Sequence, residues 1–189
     1  QVWMVENLKT TKLNNGQSIA YLFNKNEWCN ASIAGYCWPY SFYVEDLKRN
    51  YGALYNWYAV KSGVLCPKGW HIPSDEEWKQ LEMYLGMTRE QADGTVWRGT
   101  NEGGKMKEAG TEHWTNPNNG ATNESGLTVI GAGRRFTNGL FGTIKEGCTI
   151  WSSTPSSLSS ATYRHFATGN SGIGRNPAGE KKFGFTVRC

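Results

Sequence analysis

The apolar positions of residues 51–58 have the spacing of a helix that packs on one side. Tyr51, Leu54, Tyr55 and Tyr58 stand at positions i, i+3, i+4 and i+7, which is the stripe of an amphipathic helix. We therefore predict a helix here and expect its tyrosines to belong to the hydrophobic core.

A second helix is predicted to begin after Ser74. The Ser74 hydroxyl can accept a hydrogen bond from the backbone of Glu77, whose carboxylate can reach back to the cap, so the pair fits a capping box. Trp78, Leu81 and Leu85 follow at helical spacing and would form the buried face. The acids at residues 75–77 suit the positive end of the helix dipole and are explained by capping rather than by a catalytic carboxylate pair.

The remaining apolar runs are short and are separated by turn residues, which is typical of strands. Residues 2–5 and 19–22 are predicted as strands on either side of a turn, and residues 24–43 as a long loop with room for one short strand. A second capping pattern at residues 88–91 predicts a short helix, after which no further helix is expected. The strands predicted in the second half are residues 127–130, 149–152, 162–167 and 183–187. Together these elements predict an α+β fold and a single domain over residues 1–189.

Composition favours ring-dominated packing between short strands and turns. The 189 residues include nine tryptophans, nine tyrosines, seven phenylalanines and 23 glycines, and the mean hydropathy is −0.58. No apolar stretch approaches the roughly 18 to 20 residues that a membrane span needs. The chain begins at Gln1 without a leader pattern, which leaves open that this domain is part of a longer surface protein.

The net charge of +4 is concentrated near the C-terminus. Residues 161–189 carry five basic side chains against one acidic side chain, and the other 160 residues hold fifteen of each sign. This distribution is a mild bias toward anionic ligands. It lacks the dense basic stripe of nucleic-acid-binding proteins, so no nucleic-acid partner is predicted.

Five cysteines in a polar, aromatic-rich chain favour an oxidising compartment. The preferred bridge joins Cys66 to Cys189, because closing so long a loop would restrict the unfolded chain by roughly 4 to 5 kcal/mol. Cys29 with Cys37 is a weaker candidate pair. Cys148 is then the unpaired residue, and we interpret it as a small buried apolar side chain.

Several motifs of this sequence resemble the Fibrobacter succinogenes major paralogous domain family, which is found in bacterial surface and secreted proteins. They are QVWMVENL at residues 1–8, YGALYNWYAV at residues 51–60, LCPKGWHIPSDEEW at residues 65–78, GATNESG at residues 120–126, WSST at residues 151–154 and GFTVRC at residues 184–189. The resemblance extends over nearly the whole chain. Residues 72–78, preceded by Asn56 and Trp57, are also similar to the formylglycine-generating-enzyme branch of the C-type-lectin-like fold.

The second resemblance implies a C-type-lectin-like fold, with two helices packed on small antiparallel sheets and a loop-rich C-terminal half. In such a fold the N- and C-terminal strands join in one sheet, and the loop-rich region forms the binding face. The oxidation chemistry of that relative needs two cysteines a few residues apart. Because Cys148 has no neighbouring cysteine, an enzyme is disfavoured and no catalytic residue is predicted.

Metal sites have weak support in the sequence. His71, His113 and His165 do not have the spacing of a zinc site, and we expect packed or surface histidines. Residues 116–119 are loosely similar to the Pro-containing calcium loop of sugar-binding C-type lectins, but the neighbouring acid is missing. No cofactor is therefore predicted, and a structural calcium ion is left open.

The segment from Trp151 to Asn176 has the composition of a binding surface, since rings alternate with hydrogen-bonding side chains. The predicted ligand-binding residues are Trp151, Tyr163, Arg164, His165, Asn170 and Arg175. In the alternative interpretation, Trp151 and Phe166 belong to the core and the polar residues are only solvated.

From these observations we predict an extracellular ligand-recognition module of a bacterial surface or secreted protein, adhesin-like, with a glycan or protein ligand. Its localisation would be extracellular or at the cell surface, without membrane insertion by this domain. One alternative is a structural or assembly domain of a surface appendage or lipoprotein. The other is an enzyme related to formylglycine-generating oxidases.

Overall fold

The structure is a computed structural model that describes residues 1–39 and 50–189. These residues form five helices and nine strands, and the α+β class is therefore confirmed. The helices are α1 (Lys25–Asn30), α2 (Trp57–Lys61), α3 (Asp75–Tyr84), α4 (Arg89–Asp93) and α5 (Glu102–Met106). The strands are β1 (Ala20–Tyr21), β2 (Gly35–Cys37), β3 (Leu54–Tyr55), β4 (Val96–Arg98), β5 (Ala132–Arg135), β6 (Phe141–Ile144), β7 (Gly147–Pro155), β8 (Ser160–Ala167) and β9 (Ile173–Glu180).

Helix α3 begins as the sequence predicts, because its start is determined by neighbouring residues. Ser74 accepts from the backbone N–H of Glu77, and the Glu77 carboxylate accepts from the backbone N–H of Ser74 at 2.8 Å. Trp78 and Leu85 are buried, and Leu81 is partly buried. A second capping box begins α4, which confirms that prediction as well.

The helix predicted over residues 51–58 is wrong. Leu54 and Tyr55 form β3, and neither residue is exposed. In a strand that is buried on both faces, apolar residues need not alternate with polar ones, and here they matched the spacing of a helix. The helix in this region, α2, begins only at Trp57, where the side chain of Asn56 accepts from the Ala59 N–H at 3.2 Å.

Two further helices were not predicted. Helix α1 lies inside residues 24–43, which were expected to be a loop; residues 40–43 lie outside the described residues. Helix α5 contains Gly103 and Gly104, which propensity alone would exclude from a helix. Tertiary contact explains both glycines, because a Cβ on Gly104 would lie 2.0 Å from the carbonyl oxygen of Gly120, and Gly103 is similarly close to Gly172.

The strands form two mixed sheets rather than the small antiparallel sheets that the resemblance implied. The smaller sheet has the order β1-β2-β3, with β1 and β2 parallel. The larger sheet has the order β4-β9-β8-β7-β5-β6, in which only the β5–β7 pair is parallel. Strands β7 and β8 contain the predicted strands 149–152 and 162–167. The C-terminal half thus combines the six strands of the larger sheet with long connecting loops, such as residues 107–131.

The last residues of the chain connect the two sheets. Phe185 pairs with Tyr55 of β3, and Thr186 pairs with Ile150 of β7, through isolated bridges. These single bridges replace the strand predicted for residues 183–187. Likewise, residues 127–130 contribute one bridge, and residues 2–5 form no strand.

The two ends of the chain are joined to each other. The Met4 N–H donates to the Cys189 carbonyl at 2.8 Å, and the Leu8 N–H donates to the Val187 carbonyl at 2.9 Å. The predicted disulfide between Cys66 and Cys189 is present. These contacts hold both termini against the segment before α3.

The other cysteines are not bridged to one another. Cys29 and Cys37 are free, so their predicted pairing is wrong. Cys148 is fully buried, as expected, and its Sγ lies 3.6 Å from Thr186 Oγ1. Burial raises the pKa of the Cys148 thiol and favours its neutral form.

None of the helices in the described part of the chain has the length and hydropathy of a membrane span.

Candidate recognition surface

The larger sheet has two faces of different chemistry. Directly paired residues of neighbouring strands point to the same side, so Tyr163 lies beside Asn176, and His165 lies beside Gly174. Trp97 pairs with Gly174 from the other side. We call the surface formed by Trp97, Arg134, Tyr163, His165 and Asn176 the outer face.

The opposite side, here called the inner face, packs on α3 and carries Arg98, Arg164 and Arg175. Glu82 of α3 is fully buried and binds two of these side chains. Arg98 donates two hydrogen bonds to its carboxylate, at 2.8 and 2.9 Å, and the Arg164 Nε–H donates a third at 2.5 Å. The two guanidinium groups thus share one buried carboxylate.

Asp75 completes the charge network of the inner face. Its carboxylate accepts from Arg164 at 2.7 Å and from Arg175 at 2.6 Å. Although burial opposes the charged form, hydrogen bonds and the positive charges of Arg175 and Arg164 hold the pKa of Asp75 well below its usual range. Arg164, which is fully buried, therefore cannot reach an external ligand, and Arg175 is already bound. Two of the predicted ligand-binding residues thus serve internal ion pairs.

His165 occupies the middle of the outer face. Its Nδ1 lies 3.1 Å from the Cys148 carbonyl and 3.1 Å from Thr149 Oγ1. Burial and, to a smaller extent, the charge of Arg134 together lower the pKa of His165 to about 4, so the ring is neutral at pH 7. Because a carbonyl only accepts hydrogen bonds, we assign the proton to Nδ1, which leaves Nε2 as an acceptor.

Tyr163 and Trp97 are the aromatic residues of the outer face. The Tyr163 ring contacts the rings of Trp151 and Phe185, and its hydroxyl is hydrogen-bonded by Asn176. The Trp97 ring lies 5.3 Å from the His165 ring and is 40% exposed. Its neighbour Val96 has a φ of 63°, a strained value for a β-branched residue. One ring is therefore fixed by the core, and the other projects toward solvent.

Arg134 belongs to the same surface. Its neighbour Gly133 pairs with Cys148 in the parallel ladder, so Arg134 lies on the side of Thr149 and His165. The guanidinium carbon is 5.3 Å from the centre of the Phe136 ring. Arg134 is thus the basic residue that the outer face presents.

The remaining predicted residues lie elsewhere. Trp151 is fully buried, and its indole N–H donates to the Tyr55 carbonyl at 2.9 Å. Phe166 is also fully buried, so the core interpretation of both residues is confirmed. Asn170 orders the turn before β9, since its side chain accepts from the Gly172 N–H at 2.8 Å.

Comparison with known proteins identifies the family. The sequence model of the protein family called Fibrobacter succinogenes major domain matches residues 1–189. The chain belongs to this family. No curated protein and no solved structure matches it significantly.

In this Fibrobacter succinogenes major domain, two depressions lie away from the outer face and share part of their walls. A cavity of about 420 Å³ is lined by Trp3, Trp70 and His71, among others. A second, of about 530 Å³, lies between the N-terminal residues and Tyr84 of α3. Both include Gln1 and Trp3 in their walls, and Trp70 is 38% exposed. This region is therefore an alternative candidate for the ligand-binding site.

One group of side chains in the described residues has the arrangement of metal ligands. Donor atoms of Glu108, Glu112 and His113 lie within 4.8 Å of one another. An imidazole nitrogen in the set favours a transition metal over calcium, which prefers oxygen ligands. The loop suggested for calcium has a cis bond between Asn116 and Pro117. Its Asn118 amide nitrogen donates to the carbonyls of Glu108 and Gly110, so that side chain orders the loop.

Three residues of the outer face, Trp97, Arg134 and Asn176, were not among the ligand-binding residues predicted from the sequence. For the predicted residues of β8, the strand pattern alone could have indicated the face of the sheet on which each side chain lies. Side chains alternate along a strand, so Tyr163 and His165 must lie on one face, and Arg164 with Phe166 on the other. Because Phe166 is apolar and is expected in the core, the same alternation predicts that the Arg164 side chain also points into the protein.

Proposed function

We propose that this chain is an extracellular ligand-recognition module of a bacterial surface or secreted protein, and that it binds a glycan or protein through the outer face. The outer face itself carries the proposal: rings, a neutral imidazole, an amide and one guanidinium share one side of a sheet. Side chains on paired strands are held in place before a ligand arrives, which reduces the entropy lost on binding.

One feature supports the proposed location outside the cell. The Cys66–Cys189 disulfide is typical of proteins from oxidising compartments. We also propose a C-type-lectin-like fold for this domain. The chain ends, which are hydrogen-bonded to each other, and the helices α2 and α3, which both pack against β7, support it.

A binding screen with matched tryptophan variants tests this function. Labelled protein would be applied to a glycan array and to a panel of bacterial and host surface proteins. Trp97 and Trp70 are almost equally exposed, at 40% and 38%, so Trp97→Ala and Trp70→Ala remove similar surface from the two competing sites. We expect Trp97→Ala to weaken binding of the selected ligand about tenfold or more, as for a central aromatic contact, while Trp70→Ala has little effect.

The opposite result would place the site at the cavity near Trp3. Tyr163→Phe provides a further check, because it removes only the hydroxyl that Asn176 contacts. Melting temperatures of all variants should stay close to that of the unmodified protein. A protein that binds nothing in either panel, but co-purifies with subunits of its own surface assembly, would instead favour the structural alternative.

A further inference from the structure

The arginine side chains of this protein are paired with acceptors, with one exception in the described residues. Arg134 makes no hydrogen bond or ion pair there, and its Nε–H is buried without an acceptor. The paired arginines are Arg89, Arg98, Arg135, Arg164, Arg175 and Arg188. A guanidinium has five donors and is costly to leave partly buried without partners.

Among the described residues, no carboxylate forms an ion pair with Arg134. Its nearest ring is Phe136, and its charge acts on Tyr163 and His165, both neutral at pH 7. The residue opposite it on β6 is Gly142, where the Phe136 ring fills the space that a side chain would take. The guanidinium therefore carries a positive charge beside that ring without an ion-pair partner.

A second polar atom without a partner lies in the same region. The Thr143 Oγ1 is buried and has no hydrogen bond in the described residues. A Cβ on Gly147 would be 3.1 Å from His165 Cε1 and 3.7 Å from Thr143 Cβ. Thr143 and His165 thus lie next to Gly147. Two buried polar atoms without a hydrogen-bond partner, Arg134 Nε and Thr143 Oγ1, are therefore found in the region around His165.

We propose that the outer face takes a sugar ring that carries a carboxylate group, and that Arg134 binds the carboxylate. This inference rests on the proposed function and names its ligand class. The planar guanidinium fork matches a carboxylate through two parallel hydrogen bonds. His165 Nε2 accepts from a sugar hydroxyl, and the Trp97 and Tyr163 rings contact the apolar side of the sugar.

A single negative charge fits this surface better than a phosphate group. Phosphate carries up to two charges and is usually bound by clusters of arginines. Here one unpaired guanidinium stands among neutral groups. Half-exposed rings beside a neutral acceptor also suit a polyhydroxylated ligand better than an extended peptide, which would pair with a strand edge.

The test uses pairs of glycans that differ only in their charge. Sialyllactose would be compared with lactose, and a galacturonic acid oligosaccharide with its methyl ester, by isothermal titration calorimetry on the intact chain. We expect the acidic member of at least one pair to bind at least tenfold more tightly, with lower affinity at higher salt. Arg134→Gln should abolish that preference, so that the acidic and the neutral member of the pair bind with equal affinity.

Matched variants distinguish a bound carboxylate from general charge attraction. Arg89→Gln removes the same charge from α4, on the helical side of the sheet, and should preserve the preference. Arg134→Lys keeps the charge but loses the fork, so it should retain only part of the preference. Circular dichroism and melting temperature would show that each variant is folded.

Three outcomes would overturn the ligand class. If acidic and neutral sugars bind equally well and Trp97→Ala abolishes the binding of both, the recognition function stands but the ligand does not need a carboxylate. Equally tight binding of sulfated lactose would show that a general anion site is present. Absence of binding in every pair would exclude acidic sugars of these types, while the protein panel above still decides the recognition function independently.

Discussion

Removal of the Cys66–Cys189 disulfide should cost about 5 kcal/mol of unfolding free energy. The two cysteines are separated by 123 residues, and the chain-entropy relation gives about 16 cal/mol/K for a loop of this length, or about 5 kcal/mol at 25 °C. A free energy of unfolding of about 5 to 15 kcal/mol is typical of a folded protein domain. The bridge therefore accounts for a third or more of the expected stability, and its loss should lower the melting temperature by roughly 10 to 20 °C.

The assay is urea denaturation of the Cys66→Ala/Cys189→Ala variant, with and without reductant. The control is Cys29→Ala/Cys37→Ala, which replaces two cysteines that are free in the structure. In that control, the loss of buried side-chain surface should lower the free energy of unfolding by at most about 2 kcal/mol. Reductant should destabilise the unmodified protein and the control, but not the variant without the bridge. A difference below about 1 kcal/mol between the bridged and unbridged proteins would refute the loop-closure reasoning.

Three other perturbations test the sheet and its charge network. Glu82→Gln should cost about 3 to 5 kcal/mol in urea denaturation, because it leaves two buried guanidinium groups without their shared carboxylate; a cost below 1 kcal/mol would contradict this. The neutral His165 has a folded pKa of about 4 and an unfolded value near 6.5, so stability should fall by up to about 3 kcal/mol as the pH decreases from 6.5 to 4. His165→Gln should lack that part of the pH dependence, and an unchanged profile would refute it. Gly104→Ala should destabilise by at least about 2 kcal/mol, because its Cβ would strike the Gly120 carbonyl, whereas an unchanged melting temperature would show that α5 can shift.

Local signals in the sequence predicted those elements that local interactions determine. The start of α3 depends on Ser74 and Glu77, which are three residues apart, and the capping box formed as expected. The strands around residues 149–152 and 162–167 were also predicted, because turn residues and β-branched runs delimit them. These elements need no knowledge of distant parts of the chain.

Elements that depend on distant contacts were missed. Helix α5 includes two glycines because the chain at Gly120 and Gly172 passes directly against it. Arg164 and Arg175 resembled ligand-binding residues because their acidic partners, Asp75 and Glu82, lie 80 or more residues earlier. The sequence could not show that pairing, although strand alternation could have placed Arg164 inside.

The positive charge of the C-terminal segment does not form a basic surface. Each of its five basic side chains is engaged by an acceptor within the protein; they are Arg164, Arg175, Lys181, Lys182 and Arg188. Two of them neutralise buried carboxylates, and the other three bind backbone carbonyls. The charge excess that suggested an anionic ligand is therefore used to hold the fold together. The unpaired guanidinium of the outer face comes instead from Arg134, outside that segment, where the net charge of the sequence is zero. The proposed binding of an acidic sugar thus depends on one side chain and its position rather than on the total charge of the chain.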